Sequence, residues 1–368
     1  HRLNRRQRQM CIRDSLYAGQ ASTLTLSGLN FLSSNLVVRF QQATRSVDAT
    51  VTVTPTSNTS ASVAVPASVY NNIQAGDSVS ISVTNSDFAV SNTVTKSTTG
   101  LPTGGTITTS GSYRIHSFTS GGTFVVPTGT TLTNVEYLVV AGGGGGGGSQ
   151  QGHQGGGGGA GGLRTSVVGA TSGRGSSAEA RQTITAGSYT VTIGQGGGGA
   201  SGDRGGDGSN SSFNGITAIG GGGGGNGQNN GTARSGGDGG CGGGSGSSDQ
   251  SFPSRAPGTA GQGYDGGLPT DQGSGRGGSG GGAGAQGTDP PSGGVPSGNT
   301  AGGAGLANSI TGSSVTYAKG GDCQGTGGSQ PVGTDGLGEG GTGGYSGSGN
   351  PTGRDGGNGI VIIRYILS

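Results

Sequence analysis

The chain is poor in the residues that build conventional cores and active sites. It has no Trp, one Met, three His and three Cys, and 4% of its residues are aromatic. With 27% hydrophobic residues in 368, an ordinary apolar core cannot run through all of it. Lys occurs only at 96 and 319, and Glu only at 136, 179 and 339. Disordered segments are usually richer in both, so scarcity of charge argues against a solvated coil. No apolar run reaches the length of a membrane helix; the longest, near the C-terminus, is interrupted by Arg364. Cys241 and Cys323 stand alone in glycine, with no second Cys or His at ligand spacing. They read as two unpaired thiols, although sequence leaves a cross-link open. We expect no metal and no cofactor.

What is abundant is glycine. Of 94 glycines, 84 lie between Ala141 and Ile360. Apolar runs flank this block, Val135-Glu136-Tyr137-Leu138-Val139-Val140 before it and Ile360-Val361-Ile362-Ile363-Arg364-Tyr365 after it. Both read as buried strands. The last strand needs partners, so the block is expected to leave a sheet and return to it. Ordering glycine costs more backbone entropy than ordering any other residue, and few apolar side chains are present to offset it. Backbone hydrogen bonds and close approach must do so. Collagen is excluded because the Gly-X-Y period is missing and there are only 12 Pro. The remaining ordered solution is a polyglycine-II lattice, with threefold helices of one chain packed side by side. The alternative is a flexible block.

Residues 19–98 differ. Leu24-Thr25-Leu26, Val37-Val38-Arg39-Phe40, Val47 to Val53, Val63-Ala64-Val65 and Val79 to Val83 alternate apolar and polar residues between turn signals. This predicts a small antiparallel sandwich. Residues 1–18 read as a leader foreign to the rest. Five arginines and Asp14 fall in 1–15, and without them 14 basic residues face 16 acidic ones, turning +2 into −2. Residues 99–106 read as a linker. The expected fold is all-β. An immunoglobulin-like β-sandwich comes first. A β-rich base (107–140, 163–194, 359–368) then carries the glycine bundle (141–162 and 195–358).

Catalytic patterns fail on context. Gly194-Gln195-Gly196-Gly197-Gly198-Gly199 matches a dinucleotide fingerprint, but no helix follows to hold a pyrophosphate. Gly277-Gly278-Ser279-Gly280-Gly281 lacks the strand and helix of a nucleophile elbow. Gly205-Gly206-Asp207-Gly208 does not propagate as a calcium repeat. His116 reads as an ordinary strand residue. We expect no enzyme.

Ser27-Gly28-Leu29-Asn30-Phe31 and Val83-Thr84-Asn85-Ser86-Asp87 resemble the IPT/TIG immunoglobulin-like family, whose domains act as spacers. Tyr113 to Val126, Tyr137-Leu138-Val139-Val140-Ala141-Gly142, Ser188 to Ile193, Phe213 to Gly220 and Gly357 to Tyr365 together resemble glycine-rich bacteriophage tail-fibre adhesins. That resemblance spans about 107–368. It implies a virion protein at a tail-fibre tip, partnered by other tail-fibre proteins. Its host-surface receptor is a glycan or an outer-membrane protein, bound through loops between glycine helices, with no nucleic acid and no membrane insertion. The competing expectation is a bacterial cell-surface or secreted structural protein.

If the runs alternate outward and homeward, loops 149–154, 226–235, 286–300 and 329–335 are distal. The candidate receptor-binding residues are then Gln150, Gln151, His153, Asn229, Asn230, Arg234, Asp289, Gln330 and Asp335. The insert 247–272 is expected at the base end, with Phe252, Arg255, Tyr264 and Asp265 as a second-rank loop.

Overall fold

The computed structural model describes residues 10–32, 34–85, 92–150, 152–228, 235–248, 253–269, 275–291, 299–326, 329–345, 347 and 351–366. The fold is all-β. In its N-terminal part, a five-stranded sheet runs in the order Leu16–Tyr17, Val94–Thr99, Ser78–Thr84, Leu36–Gln42, Val47–Val53. A three-stranded sheet of Met10–Ile12, Thr23–Gly28 and Ser60–Ala64 faces it across one core. Alternation fixes the inward set. Leu24, Leu26, Leu36, Val38, Phe40, Val79 and Ile81 are fully buried, while their sequence neighbours face outward. A four-residue helix, Ala67–Tyr70, tucks Val69 into this core.

Two expectations change here. Residues 10–17, set apart on sequence grounds, are integral to the sandwich. Met10 and Ile12 are buried, and Cys11 lies opposite Ser27 in the register. The basic neighbours obscure a short alternating run. Residues 99–106 are likewise not a free linker. Gly100 is buried between Ala75 and Pro127, where an added Cβ would lie 2.8 Å and 2.7 Å from theirs. Thr103 pairs with Val125.

The second part is built on the strand Leu132–Val140. It pairs antiparallel with Ile360–Ile366, Val140 opposite Ile360 and Tyr137 opposite Ile363. The apolar strands on either side of the glycine block are therefore direct neighbours. The sheet continues through Tyr113–Phe118 to Thr106–Ser110 on one side and to Leu163–Thr165 on the other. A four-stranded sheet of Gly122–Val126, Gly187–Thr192, Ser211–Phe213 and Ile216–Ala218 packs on one face. Phe118, Phe124, Phe213, Tyr137, Val139, Ile363 and Tyr365 fill that interface. Leu138, Val140, Ile360 and Ile362 point to the other face, against Ala160, Cys241, Ala283 and the hairpin Leu306–Asn308/Val315–Tyr317. Burial on both faces explains why these strands read as continuous apolar runs.

The glycine block obeys a three-residue rule. Gly142, Gly145 and Gly148 donate N–H to the carbonyls of Ser209, Gly206 and Asp203. Gly143 and Gly146 donate to Gly357 and Arg354, and Gly144 and Gly147 to Gly159 and Gly156. Their carbonyls accept from three further segments: Gly221, Gly224 and Gly227; Gly197 and Ala200; Gly341 and Gly344. One extended threefold helix thus sits among six neighbours, the repeat expected of polyglycine II. A Cβ on any of Gly142 to Gly147 would strike a neighbouring backbone carbonyl. Glycine is required there by contact, and each backbone bond contributes about 1 kcal/mol net in place of side-chain burial.

Candidate functional site at the far end of the glycine lattice

Hydrogen-bond levels show which turns lie far from the sheet. The helix that leaves at Ala141 reaches its turn at Ser149. There Ser149 N–H donates to Pro351, Gln150 N–H to Gly227, and Gln154 N–H to Gly275. Ser247 donates to Gln154, and Gln154 bridges to Tyr345. The Gln150 side chain reaches Gly202 at 3.2 Å. Turns from widely separated parts of the chain are thus gathered at one end, because each lattice run delivers its turn to the same level.

Of the predicted residues, Gln150 is exposed at this end. Gln330 joins it: its Nε2 donates to Thr352 at 3.0 Å, across the helix that ends at Pro351. His153 sits in the same turn but is buried, with 5% exposure. The Ser149 hydroxyl bonds the His153 carbonyl and the His153 N–H donates to Gln150, closing a tight turn that folds the imidazole inward. Asp289 lies at the margin, clamped by Arg255 at 3.0 and 2.7 Å and capping the Leu268 N–H. Gln151, Asn229, Asn230, Arg234 and Phe252 lie outside the described residues.

Asp335 is a correction. Its carboxylate caps the Asn358 N–H, and Gly336 and Gly338 donate to the Asn358 carbonyl beside the sheet. Gln330 and Asp335 therefore occupy opposite ends of one homeward run. The insert 247–272 is a second correction, since Ser247 at its start and Gly275 just beyond it both bond Gln154 at the distal turn. The chain returns once more than run lengths suggest. Gly240 donates to Gly220 and Cys241 to Ala160 at sheet level, so the run after Cys241 heads outward again. The middle of the insert touches the base, where Leu163 donates to Gln262 and Gln262 Oε1 accepts from Ile219. Tyr264 and Asp265 are held there by Arg174, whose guanidinium lies 5.6 Å from the tyrosine ring and 2.7 Å from the carboxylate.

Sequence reading missed a class of residue that shapes the margins. Asp207 caps the Gly223 N–H and pairs with Arg204 at 2.7 Å. Asp355 caps Gly199, Asp322 caps Gly302, Asp265 caps Gly258, and Asn358 caps Gly196. Burial penalises the charged forms of Asp207 and Asp265. Arg204 and the Gly223 N–H in one case, and Arg174 and the Gly258 N–H in the other, still hold the carboxyls below the usual range. The only sequence signal was an isolated Asp in glycine, at Gly-Gly-Asp-Gly, read as a failed calcium repeat.

Among the described residues no group of three His, Cys, Asp or Glu could hold a metal, and no helix is long and apolar enough to cross a membrane. Cys241 and Cys323 are free and buried, their thiols pushed up to about 12 by desolvation.

An all-β base with a glycine lattice set into its sheet, whose turns converge at one end, defines a glycine-rich domain. The chain belongs to the glycine-rich domain family, whose model matches residues 118–366. A search of curated proteins finds no match.

Proposed function

We propose that this protein is a non-enzymatic receptor-binding protein of the tail-fibre adhesin kind. It presents the distal turns to a glycan or outer-membrane protein on a bacterial host. One observation carries this reading: turns from 150, 202, 227, 330 and 351 meet on one end of a lattice held by backbone hydrogen bonds along its runs. Rigid elements hold recognition groups with little ordering cost, while loops can vary without disturbing what supports them. Gln150 and Gln330 are the described contacts we assign to the receptor. Recognition there relies on polar side chains and bridging water.

The test is adsorption of purified protein to host cells. Replacing Gln150 and Gln330 together by Arg is expected to abolish adsorption with the melting midpoint little changed. Adsorption that survives this change, or that is lost only when the N-terminal sandwich is altered, defeats the assignment. The second outcome favours a surface structural protein that binds through its sandwich.

A further inference from the structure

The helix 194–200 lies at the margin of the lattice, and its bonding leaves one side bare. Gly197 and Ala200 donate N–H to Gly143 and Gly146, and Gly196 and Gly199 donate to the side chains of Asn358 and Asp355. The carbonyls of Gln195 and Gly198 accept from Ser209 and Gly206, and those of Gly197 and Ala200 from Gly356 and Gly353. The N–H groups of Gln195 and Gly198 and the carbonyls of Gly196 and Gly199 have no hydrogen-bond partner among the described residues. These groups recur every three residues, the spacing by which the interior helices are paired. Gln195, Gly198 and Gly206 are exposed.

Sterics add a second observation. A Cβ on Gly196, Gly197 or Gly199 would strike a backbone carbonyl, whereas one on Gly198 would meet nothing within 4 Å. Among the described residues no contact requires glycine at 198. A glycine helix seated from outside would require it, as Gly145 is required by the helices around it. A third observation is contrast. Neighbouring rows are sealed by Asp and Asn side chains, whereas this row is left open. Exposed β-edges are managed by the same choice between sealing and pairing.

We propose that this bare margin is an interface, and that its occupant is the same margin of a second copy of the chain. A donor row and an acceptor row lie side by side on one helix. About a two-fold axis each copy then offers acceptors to the other's donors, as an isologous contact requires.

Sedimentation equilibrium of the full chain tests this, comparing wild type with Gly198→Leu. The side chain enters open space, so the melting midpoint, taken at a concentration below self-association, should hold. Wild type is expected to dimerise reversibly, and the substitution to raise the dissociation constant at least about tenfold. Gln195→Arg, on the same bare row, repeats the test should Gly198→Leu lower the midpoint. A wild type that stays monomeric at every concentration, or a dimer that both substitutions leave unchanged, overturns the proposal. Neither result bears on the distal receptor assignment.

Discussion

His116 Nε2 lies 3.0 Å from the hydroxyl of Tyr365, and its Nδ1 lies 2.8 Å from the carbonyl of Gly104. A carbonyl can only accept, so Nδ1 carries the proton and Nε2 accepts from the tyrosine. Gly104 itself has φ +113, and a Cβ there would strike the Thr123 carbonyl. One fully buried imidazole thereby ties the segment leaving the sandwich to the last strand of the base.

Burial lowers the His116 pKa from 6.5 to about 4, opposed by the bond to Gly104 and assisted by Arg114. The unfolded chain therefore takes up a proton at higher pH than the folded one. His116 contributes its full stability above about pH 6.5 and loses it progressively as pH falls toward 4. The loss is on the order of 3 kcal/mol. Denaturant unfolding across pH 7 to 4 should show it, and His116→Gln should flatten that part of the profile. Parallel profiles for the two proteins would mean the imidazole is not held neutral.

Gly145 and Gly198 face each other, yet substitution should treat them oppositely. Gly145→Ala drives its methyl into the Gly198 carbonyl and must displace a helix bonded on several sides. We expect a loss of about 3 kcal/mol or more, at or beyond the upper end for overpacking. Gly198→Ala meets nothing and restricts the unfolded chain, so stability should hold or rise by about 0.5 kcal/mol. Thermal unfolding of both, below any self-association, checks the lattice directly. Equal effects would mean the block is not packed.

Glu136 is nearly inaccessible, with a side-chain exposure of 3%, and bonds Arg364 at 2.6 Å and the Val168 N–H at 3.1 Å. Arg364 also stacks on Tyr113 with 4.5 Å to the ring centroid. Glu136→Ala strands a guanidinium in the sheet and should cost about 3–5 kcal/mol. Glu136→Leu with Arg364→Met should cost clearly less, since no buried charge remains. Denaturation of single and double variants measures the difference. A double variant as unstable as the single would place the cost in packing instead.

The three thiols should separate by reactivity. Cys11 is exposed, and Cys241 and Cys323 are buried with raised pKa values. An aromatic disulfide reagent at pH 8 should titrate one thiol quickly and all three after denaturation. Two or more fast thiols in the native protein would show that the lattice opens.

Side-chain patterns made the β parts readable. Val135 to Val140 and Ile360 to Tyr365 are apolar without interruption because both faces of their sheet are covered, and Leu36 to Phe40 alternates because one face is wet. The strand Thr106–Ser110 escaped notice because it is an edge with almost every side chain exposed. The lattice path resisted reading for a different reason. Direction along a glycine run is encoded by no side chain, so the return at Gly240 was invisible, and Asp335 was placed at the wrong end. His153 carries a receptor-type side chain in a distal turn, but turn closure by Ser149 decides which way it faces.

Val140 and Ile360 stand opposite each other, and between them the chain leaves the base and returns to it several times, as at Leu163 and Gly240, so each outward-and-homeward pair of glycine runs is a detour from the sheet. The base needs no knowledge of how long each detour is. Because each helix repeats every three residues, an outward arm lengthened by one triplet regains its pairing only if the homeward arm gains one too. Such a domain changes reach in matched triplets and changes surface chemistry by exchanging turns.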